Sequence, residues 1–352
     1  MKHFKLKSIS VLLVLVFILA SCSKNYDSIP VATTTPGPGL YVLSEGLFNN
    51  NNTTLTYYDY TTKAVTTDQF SAVNSRILGD TGNDVEVYGS KMYIIMNVSS
   101  TIEIVDVKTT KSIKQILMQD GSTKRKPRYV TFSGGRAYIS SYDNTVAVLD
   151  TATLTINQFI KVGNNPEQLA VANGKLYVAN SGGLSYPNYD NTVSVIDLAT
   201  LTETKKITVV ANPTKLAADQ YGDVIVLSSG NYSTVAPAMT VIDSKTDLVK
   251  TQTAFNGGQM FISGDYAYIT SGSAIKLFNV KTMTLEKANF ITDGTVVTTA
   301  YGVTVDSTTG DVFVTDAKNY SSTGEMFCFD KNGVKKYSIK TGINPNHVAF
   351  LR

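Results

Sequence analysis

The stretch TVAVLDTAT, from Thr145 to Thr153, contains the repeat that determines the fold. Its apolar side chains follow the alternation typical of a half-buried strand, and Asp150 with Thr153 suits a tight polar turn. The same Asp-x-x-Thr pattern occurs at six positions, namely Asp59, Asp106, Asp150, Asp197, Asp243 and, with asparagine in place of aspartate, Asn279. A modified seventh copy begins at Asp330. Because a spacing of about 40 to 50 residues indicates a propeller or array, each copy predicts one blade.

Two further strands accompany each turn. A strand such as Leu176-Tyr177-Val178 precedes each of the seven copies. Before six of these strands lies another that ends in a glycine-containing hairpin turn, as in LAVANGK at residues 169–175. The first blade lacks this strand, whereas residues 346–352 match its pattern without a partner. Because a closed ring hides strand edges, we predict an all-β, seven-bladed β-propeller over residues 39–352, with the C-terminal strand closing the first blade.

The N-terminus has the features of an export signal. Three lysines precede an apolar run over residues 11–20, and Leu19-Ala20-Ser21-Cys22 resembles the bacterial lipoprotein lipidation box. We predict a signal peptide over residues 1–21, lipidation at Cys22 and a flexible tether over residues 22–38. An ordinary secretory signal with a chance cysteine is the alternative. The expected location is the outer membrane, lipid-anchored and exposed at the cell surface, and a periplasmic orientation stays open.

Charge and composition argue against several classes of protein. The chain has 31 basic and 28 acidic residues, and removal of the three lysines of the signal leaves no net charge. Bulk attraction to nucleic acid or to an anionic membrane is therefore not expected. Outside the signal, His347 is the sole histidine, no Cys and His spacing resembles a zinc site, and tryptophan, on which quinone-dependent propellers usually rely, is absent. We predict no cofactor and no enzymatic activity.

The two ends of such a propeller differ in sequence. Short, repetitive turns follow strands one and three of each blade, whereas the connections after strands two and four vary and collect Asn, Tyr, Ser and Gly. Binding usually lies on such variable loops. Stacking and apolar contacts are expected from Phe48, Asn49, Tyr142, Tyr186, Tyr189, Tyr232, Tyr301 and Tyr320. Polar contacts are expected from Asn83, Arg128, Asn165, Asn212, Asn319 and Asn344, with His347 as a further candidate.

Each of these assignments has a structural alternative. Asn and Gly favour turns for conformational reasons alone, and many of the 20 tyrosines suit packing between blades. The basic run from Lys124 to Arg128 is either a contact for an anionic partner or a solvated loop. His347 either makes a structural hydrogen bond or ligates a metal. Oxygen ligands such as Glu45 and Asp84 leave a channel metal as an open alternative.

One blade resembles a known family. The stretch from Leu176 to Ser181, LYVANS, and that from Asn191 to Asp197, NTVSVID, resemble the YVTN repeat of surface-layer and YncE-like propellers. The resemblance covers nearly all of residues 39–352 and is weakest in blades five and six. Stretches such as Ser44-Glu45-Gly46 and Gly230-Asn231-Tyr232 are similar to lipoproteins of gut Bacteroidetes, which include the BtuG-type proteins. The resemblance implies capture of cobalamin at the cell surface and its delivery to a TonB-dependent outer-membrane transporter.

Three functional classes follow from these features. The first is a ligand-capture lipoprotein that binds a large, polar, near-neutral ligand, either a corrinoid or a glycan. The second is a protein-interaction scaffold within an outer-membrane complex, and the third is a metal-dependent propeller enzyme. A corrinoid is fringed with amides and close to neutral, but a glycan fits the same description, so composition does not separate them. Corrinoid capture is the leading hypothesis.

Overall fold

The computed structural model describes residues 37–352, which form seven four-stranded antiparallel blades of a propeller. This confirms the fold class expected from the repeat. The predicted signal peptide over residues 1–21, the lipidation site Cys22 and most of the tether over residues 22–38 lie outside the described residues. Within the described part, no helix is long and apolar enough to cross a membrane.

The first three blades contain the strands up to residue 161. Blade one contains β1 (Gly39–Ser44), β2 (Thr54–Asp59) and β3 (Val65–Thr66), and a short helix, α1 (Gln69–Asn74), follows. Blade two contains β4 (Gly82–Tyr88), β5 (Lys91–Met96), β6 (Thr101–Asp106) and β7 (Ser112–Leu117). A small ribbon of β8 (Gln119–Asp120) and β9 (Thr123–Lys124) leads to blade three, with β10 (Pro127–Ser133), β11 (Arg136–Ser141), β12 (Thr145–Asp150) and β13 (Thr155–Lys161).

The remaining blades follow the same order. Blade four contains β14 (Pro166–Ala172), β15 (Lys175–Asn180), β16 (Thr192–Asp197) and β17 (Thr202–Thr208). Blade five contains β18 (Pro213–Ala218), β19 (Asp223–Ser228), β20 (Ala238–Asp243) and β21 (Leu248–Ala254). Blade six contains β22 (Met260–Ser263), β23 (Tyr266–Ser271), β24 (Ala274–Asn279) and β25 (Thr284–Lys287). Blade seven contains β26 (Ala300–Val305), β27 (Val312–Asp316), β28 (Thr323–Phe329) and β29 (Lys335–Ile343), and β30 (Pro345–Leu351) ends the chain.

The C-terminal strand closes the ring as predicted. β30 pairs antiparallel with β1, from Gly39 opposite Leu351 to Ser44 opposite Pro345, and is the innermost strand of blade one. Blade one therefore combines the two ends of the propeller sequence. This arrangement pairs the inner edge of β1, which an incomplete ring would leave exposed.

The repeated aspartates form turns, as the sequence predicts. In the turn after β12, Asp150 Oδ1 accepts hydrogen bonds from the backbone N–H groups of Ala152 and Thr153, at 2.9 and 2.7 Å. Asn279 makes the equivalent turn with its amide oxygen, at 3.0 Å to the N–H groups of Lys281 and Thr282. A side-chain oxygen that satisfies two backbone donors is what the chain needs where it reverses.

The apolar core lies between the blades. Buried side chains form seven clusters, each shared by two neighbouring blades, and the last joins blade seven to blade one through Leu40, Phe313 and Val348. Two tyrosines of the second strands donate a hydrogen bond to the next blade, Tyr41 Oη to the Val107 carbonyl at 2.9 Å and Tyr177 Oη to the Ser244 carbonyl at 3.1 Å. Cys328 is buried in the last cluster, and burial raises the pKa of its thiol to about 12.

Candidate functional site

The variable loops gather at one end of the propeller, which we call the variable face. The antiparallel blades place there the connections between the second and third strands and the starts of the innermost strands. The loops of this face span residues 45–53, 97–100, 142–144, 181–191, 229–237, 272–273 and 317–322. The opposite end, which we call the scaffold face, holds the hairpins after the innermost strands and the Asp-x-x-Thr turns.

Three tyrosines of blades four and five form a continuous exposed arc on the variable face. The ring centroids of Tyr186 and Tyr189 lie 6.1 Å apart, those of Tyr189 and Tyr232 lie 6.0 Å apart, and both pairs meet edge to face. Tyr186 is 74% exposed and Tyr232 is 73% exposed, whereas Tyr189 is half-buried between them. Asn212, buried beneath, lies 3.5 Å from the Tyr232 hydroxyl. We call this group the tyrosine arc.

A second aromatic group lies across the channel, on blades one and seven. Tyr301 and Tyr320 pack edge to face, 5.8 Å apart, and Tyr320 is exposed. The Tyr301 hydroxyl donates a hydrogen bond to Glu45 Oε2 at 2.9 Å, so only its ring is free for a ligand. Phe48 is 71% exposed on the loop after β1. Aromatic side chains therefore lie on two opposite sides of the central channel.

Polar side chains bridge the mouth of the channel between these two groups. Arg128 Nε donates to Glu167 Oε2 at 2.9 Å, and its guanidinium lies 4.7 Å from the centre of the Tyr142 ring. The Tyr142 hydroxyl hydrogen-bonds the other oxygen of Glu167. All three groups are largely sheltered from water, which strengthens such an ion pair relative to one on the surface.

Two further bridges complete the closure of the mouth. Lys215 of blade five hydrogen-bonds the Tyr129 hydroxyl of blade three, and its ammonium lies 4.4 Å from the centre of that ring. Asn346 donates to Glu45 Oε1 at 3.0 Å and also reaches the backbone carbonyl of Gly82 at 3.0 Å. Burial raises the pKa of Glu45, and the Tyr301 hydroxyl partly offsets this. We call this hydrogen-bonded layer at the mouth of the channel the floor; it consists of Glu45, Arg128, Tyr129, Tyr142, Glu167, Lys215 and Asn346. A ligand on the variable face thus meets polar side chains beneath it.

The predicted asparagines divide into two kinds. Asn83, Asn165 and Asn344 are buried, and their amide groups donate to backbone carbonyls, as in the 2.5 Å bond from Asn83 to the carbonyl of Arg128. These side chains hold neighbouring loops together. Asn49 and Asn319 are exposed in turns, where Asn49 adopts a positive φ of 62°. Their backbone roles agree with the structural alternative for Asn in loops.

The basic run and His347 have defined surroundings. Arg125 pairs with Asp143, Lys124 donates to a backbone carbonyl and Arg128 pairs with Glu167, so three of the four basic side chains of this run have partners. His347 lies below the mouth, inside the channel, with Nδ1 3.3 Å from Asp84 Oδ1. Within residues 37–352, no group of three His, Cys, Asp or Glu side chains has the geometry of a metal site.

The candidates from the sequence omit some residues of this region. Glu167, Tyr129 and Lys215 contribute to the floor, and the exposed side chain of Leu184 adds apolar surface beside Tyr186. The sequence does contain a signal for part of this network, namely the position of a residue directly after a proline at the start of an innermost strand. Pro127-Arg128, Pro166-Glu167 and Pro345-Asn346 each begin an innermost strand, and the residue after the proline joins the network at the mouth.

Comparison with known proteins places the chain in a family. Residues 38–350 match the family described as a domain of unknown function, DUF5074. The chain belongs to this family. No curated protein matches the sequence. Membership of the DUF5074 family is thus shown over the whole propeller, while the finer resemblance to YncE-like and BtuG-type proteins stays a prediction.

Solved structures share the architecture of this DUF5074 propeller. A quinoprotein alcohol dehydrogenase-like protein from Bacteroides thetaiotaomicron superimposes with a TM-score of 0.66 at 16% identity, over 89% of this chain and 78% of that one. Hydrazine synthase from Kuenenia stuttgartiensis gives 0.62 at 13% identity, over 75% of this chain and 88% of that one. A computationally designed protein gives 0.59 at 11% identity, over 88% and 91% of the two chains. These likenesses support the fold alone.

Proposed function

We propose that the protein captures a large, polar, near-neutral ligand on its variable face, and that this ligand is a corrinoid. The main support for the proposal is the tyrosine arc. Tyr186 and Tyr232 are about three-quarters exposed, at loop positions where a polar side chain would be accommodated equally well. Exposed aromatic side chains are enriched at recognition surfaces because they provide contact area at low entropic cost.

The layout of the face supports a wide ligand. The tyrosine arc belongs to blades four and five, whereas Phe48 and Tyr320 belong to blades one and seven on the other side of the channel. A ligand that contacts both groups must span the mouth. Its underside then meets the floor, where Arg128 forms an ion pair with Glu167 and Asn346 donates a hydrogen bond to Glu45. A near-neutral macrocycle with peripheral amides suits this combination of aromatic walls and a polar floor.

Binding, rather than catalysis, is the activity that we propose. His347, the histidine that a hydrolase would use as its base, lies below the floor beside Asp84, and burial lowers its pKa to about 3. The aromatic groups lie above that floor. Under this proposal the lipid anchor at Cys22 holds the propeller at the outer membrane, and the ligand passes to a TonB-dependent transporter.

Calorimetric titration of the purified protein with cyanocobalamin and cobinamide tests the proposal. We expect submicromolar binding, and a Tyr186→Ala/Tyr189→Ala double variant should raise Kd by at least about thirtyfold, because a central aromatic contact contributes about 2 kcal/mol. Tyr221→Ala is the matched control, since Tyr221 is an exposed tyrosine in a hairpin of the scaffold face. That variant should bind like the parent protein.

Other outcomes separate the alternatives. Absence of binding to both corrinoids, with binding of a neutral oligosaccharide that the double variant loses, would replace the corrinoid by a glycan. Retention of corrinoid binding by a correctly folded double variant would move the site away from the tyrosine arc. Failure with both ligand classes would favour the protein-interaction scaffold.

A further inference from the structure

The central channel below the floor is a separate cavity. It has a volume of about 660 Å³ and reaches the turns of the scaffold face at Ser90 and Ser307. A smaller space of about 180 Å³ continues from it toward the mouth and ends at Tyr129 and His347. Glu86, Gln168 and His347 line both spaces. The cavity therefore has its own opening, opposite the variable face.

The inner end of the cavity is rich in acceptors that lack partners. Asp84 Oδ2 accepts a hydrogen bond from the Val130 N–H at 2.8 Å, but Asp84 Oδ1 makes no hydrogen bond within the described residues. It lies 3.3 Å from His347 Nδ1 without the geometry of a hydrogen bond. Asn346 Oδ1 and His347 Nε2 are unpartnered as well. Asp84 and Asn346 are each more than nine-tenths buried, where an acceptor without a hydrogen-bond donor is destabilising.

The charges around this end do not balance. Glu86 faces the same space two residues further along β4, and it forms no ion pair within residues 37–352. Lys215, whose ammonium bonds the Tyr129 hydroxyl, acts on Asp84 but is one cation facing two carboxylates. Toward the scaffold face, Arg352 is engaged by Asp306 at 2.6 Å, and Lys108 lines the outer part of the cavity. At the inner end, Glu86 is thus left without a cationic partner.

The rest of the cavity wall combines polar and apolar side chains. Met260, Val303 and Val305 are buried along it, and the rings of Phe261 and Phe350 are partly exposed to it. A bound molecule with a charged head at Glu86 would lay its body against this wall. Such a wall offers apolar surface for the body of a small molecule and polar groups for its head, and the volume lies within the usual range of small-molecule sites.

From this arrangement we propose that the central channel holds a second binding site, for a small organic cation with a primary ammonium group and an apolar body. The ammonium has three N–H donors, and Asp84 Oδ1 and the Glu86 carboxylate are the anionic acceptors at the inner end of the cavity. A divalent metal fits less well, because no group of three metal-ligating side chains exists in the described chain.

The proton equilibria of the site agree with this chemistry. Burial raises the pKa of Asp84 and of Glu86, and the charge of Asp84 raises that of Glu86 further, while Lys215 and Arg128 partly offset the effect at Asp84. Water in the channel reaches Glu86 and moderates its shift. Without a cation, a proton supplies the missing charge, and a bound ammonium displaces that proton. Binding should therefore strengthen as the pH rises from 6 to 9, because His347 stays neutral over this range. Lys108 and Arg352 are the charged groups at the scaffold opening of the cavity.

Titration calorimetry with hexylammonium chloride tests this proposal, with hexan-1-ol as the neutral analogue. We expect one site per chain at pH 8 and an affinity for the alcohol lower by about tenfold or more, as one charge-assisted hydrogen bond requires. Glu86→Gln should weaken hexylammonium binding by a similar factor. Glu286→Gln, an exposed glutamate on β25, is the control and should leave it unchanged. Equal binding of the alcohol, or an unaffected Glu86→Gln variant, would overturn the proposal.

Two further measurements keep the result independent of folding and of the variable face. If Glu86→Gln does not fold, the pH series on the parent protein decides, because affinity that does not rise between pH 6 and 9 contradicts the proposal. The Tyr186→Ala/Tyr189→Ala variant should bind hexylammonium normally, since the tyrosine arc lies above the floor. Loss of binding in that variant would place the cation on the variable face instead.

Discussion

Glu167 illustrates, at the scale of single residues, how the mouth is held together. Its two carboxylate oxygens accept from Arg128 and from Tyr142, and its side chain is only 7% exposed. Glu167→Ala should lower the free energy of unfolding by about 3 kcal/mol, because it leaves a largely buried guanidinium unpaired. Urea unfolding followed by circular dichroism measures this change.

A more exposed ion pair provides the control for that measurement. Glu325 lies 3.4 Å from Lys318, and both side chains are more than a quarter exposed. Glu325→Ala should change the free energy of unfolding by less than about 1 kcal/mol, as is usual for such pairs. A loss at Glu167 no larger than the loss at Glu325 would show that the mouth network contributes little to stability.

At this scale the sequence is informative about position but not about role. The end of the propeller at which a loop side chain lies is predictable, because the order of the strands determines which end of the blade each loop occupies. Tyr186 and Asn165 look alike as candidates, yet the first is exposed and the second is buried and bonded to the Tyr142 carbonyl. That difference depends on how two loops pack against each other, which neither residue type nor spacing specifies.

Among the elements, the Asp-x-x-Thr turns make stability depend on pH. Backbone N–H groups hold the pKa of Asp150 below its ordinary value, with Thr153 as the main donor, and the same holds for Asp197 and Asp243. A carboxyl whose pKa is lower in the folded state stabilises the fold above its unfolded pKa of about 3.9, and this contribution is lost as pH falls through the folded value.

The turn at Asn279 shows how to test this dependence, since it keeps the hydrogen bonds without a titrating group. Asp150→Asn should leave the midpoint of urea unfolding nearly unchanged at pH 7 and reduce its decline between pH 5 and 3. Asp150→Ala should lower the midpoint already at pH 7, because two N–H groups lose their acceptor. An unchanged acid dependence in the Asn variant would contradict this role for the turn.

The closing strand is the element with the largest predicted effect. β30 supplies the inner edge of blade one and contributes Val348 and Ala349 to the clusters on either side. A chain that ends at Gly342 should therefore give no folded monomer, because the edge of β1 and two apolar clusters are left open. Size-exclusion chromatography and circular dichroism report the result, and removal of Arg352 alone is the control.

Repetition explains why the elements were predictable from the sequence. The same strand and turn pattern occurs seven times at a similar spacing. An irregular copy such as Asp330-Lys-Asn-Gly is therefore recognised by its position in the series. Elements outside the repeat were not predicted. The ribbon of β8 and β9 and the helix α1 occur once each within residues 37–352, in connections between blades, and no second copy signals them.

For the molecule as a whole, the propeller separates two faces with different properties. The variable face has exposed aromatic groups above a polar floor that contains the Arg128–Glu167 ion pair, and the scaffold face opens into a cavity lined by Glu86, which has no ion pair within residues 37–352. The fold follows from strand pattern and closure, both of which the sequence contains. Ligand identity does not, because aromatic walls and amides suit more than one neutral ligand and the loops that place them differ from blade to blade.

Hydrogen–deuterium exchange with and without saturating cyanocobalamin tests most directly whether the variable face is the binding face. We expect slower exchange in residues 181–191, 229–237 and 317–322, which present Tyr186, Tyr232 and Tyr320, and no change in the scaffold turn at residues 219–222. Protection confined to the scaffold face, or unchanged exchange throughout at saturating ligand, would contradict it.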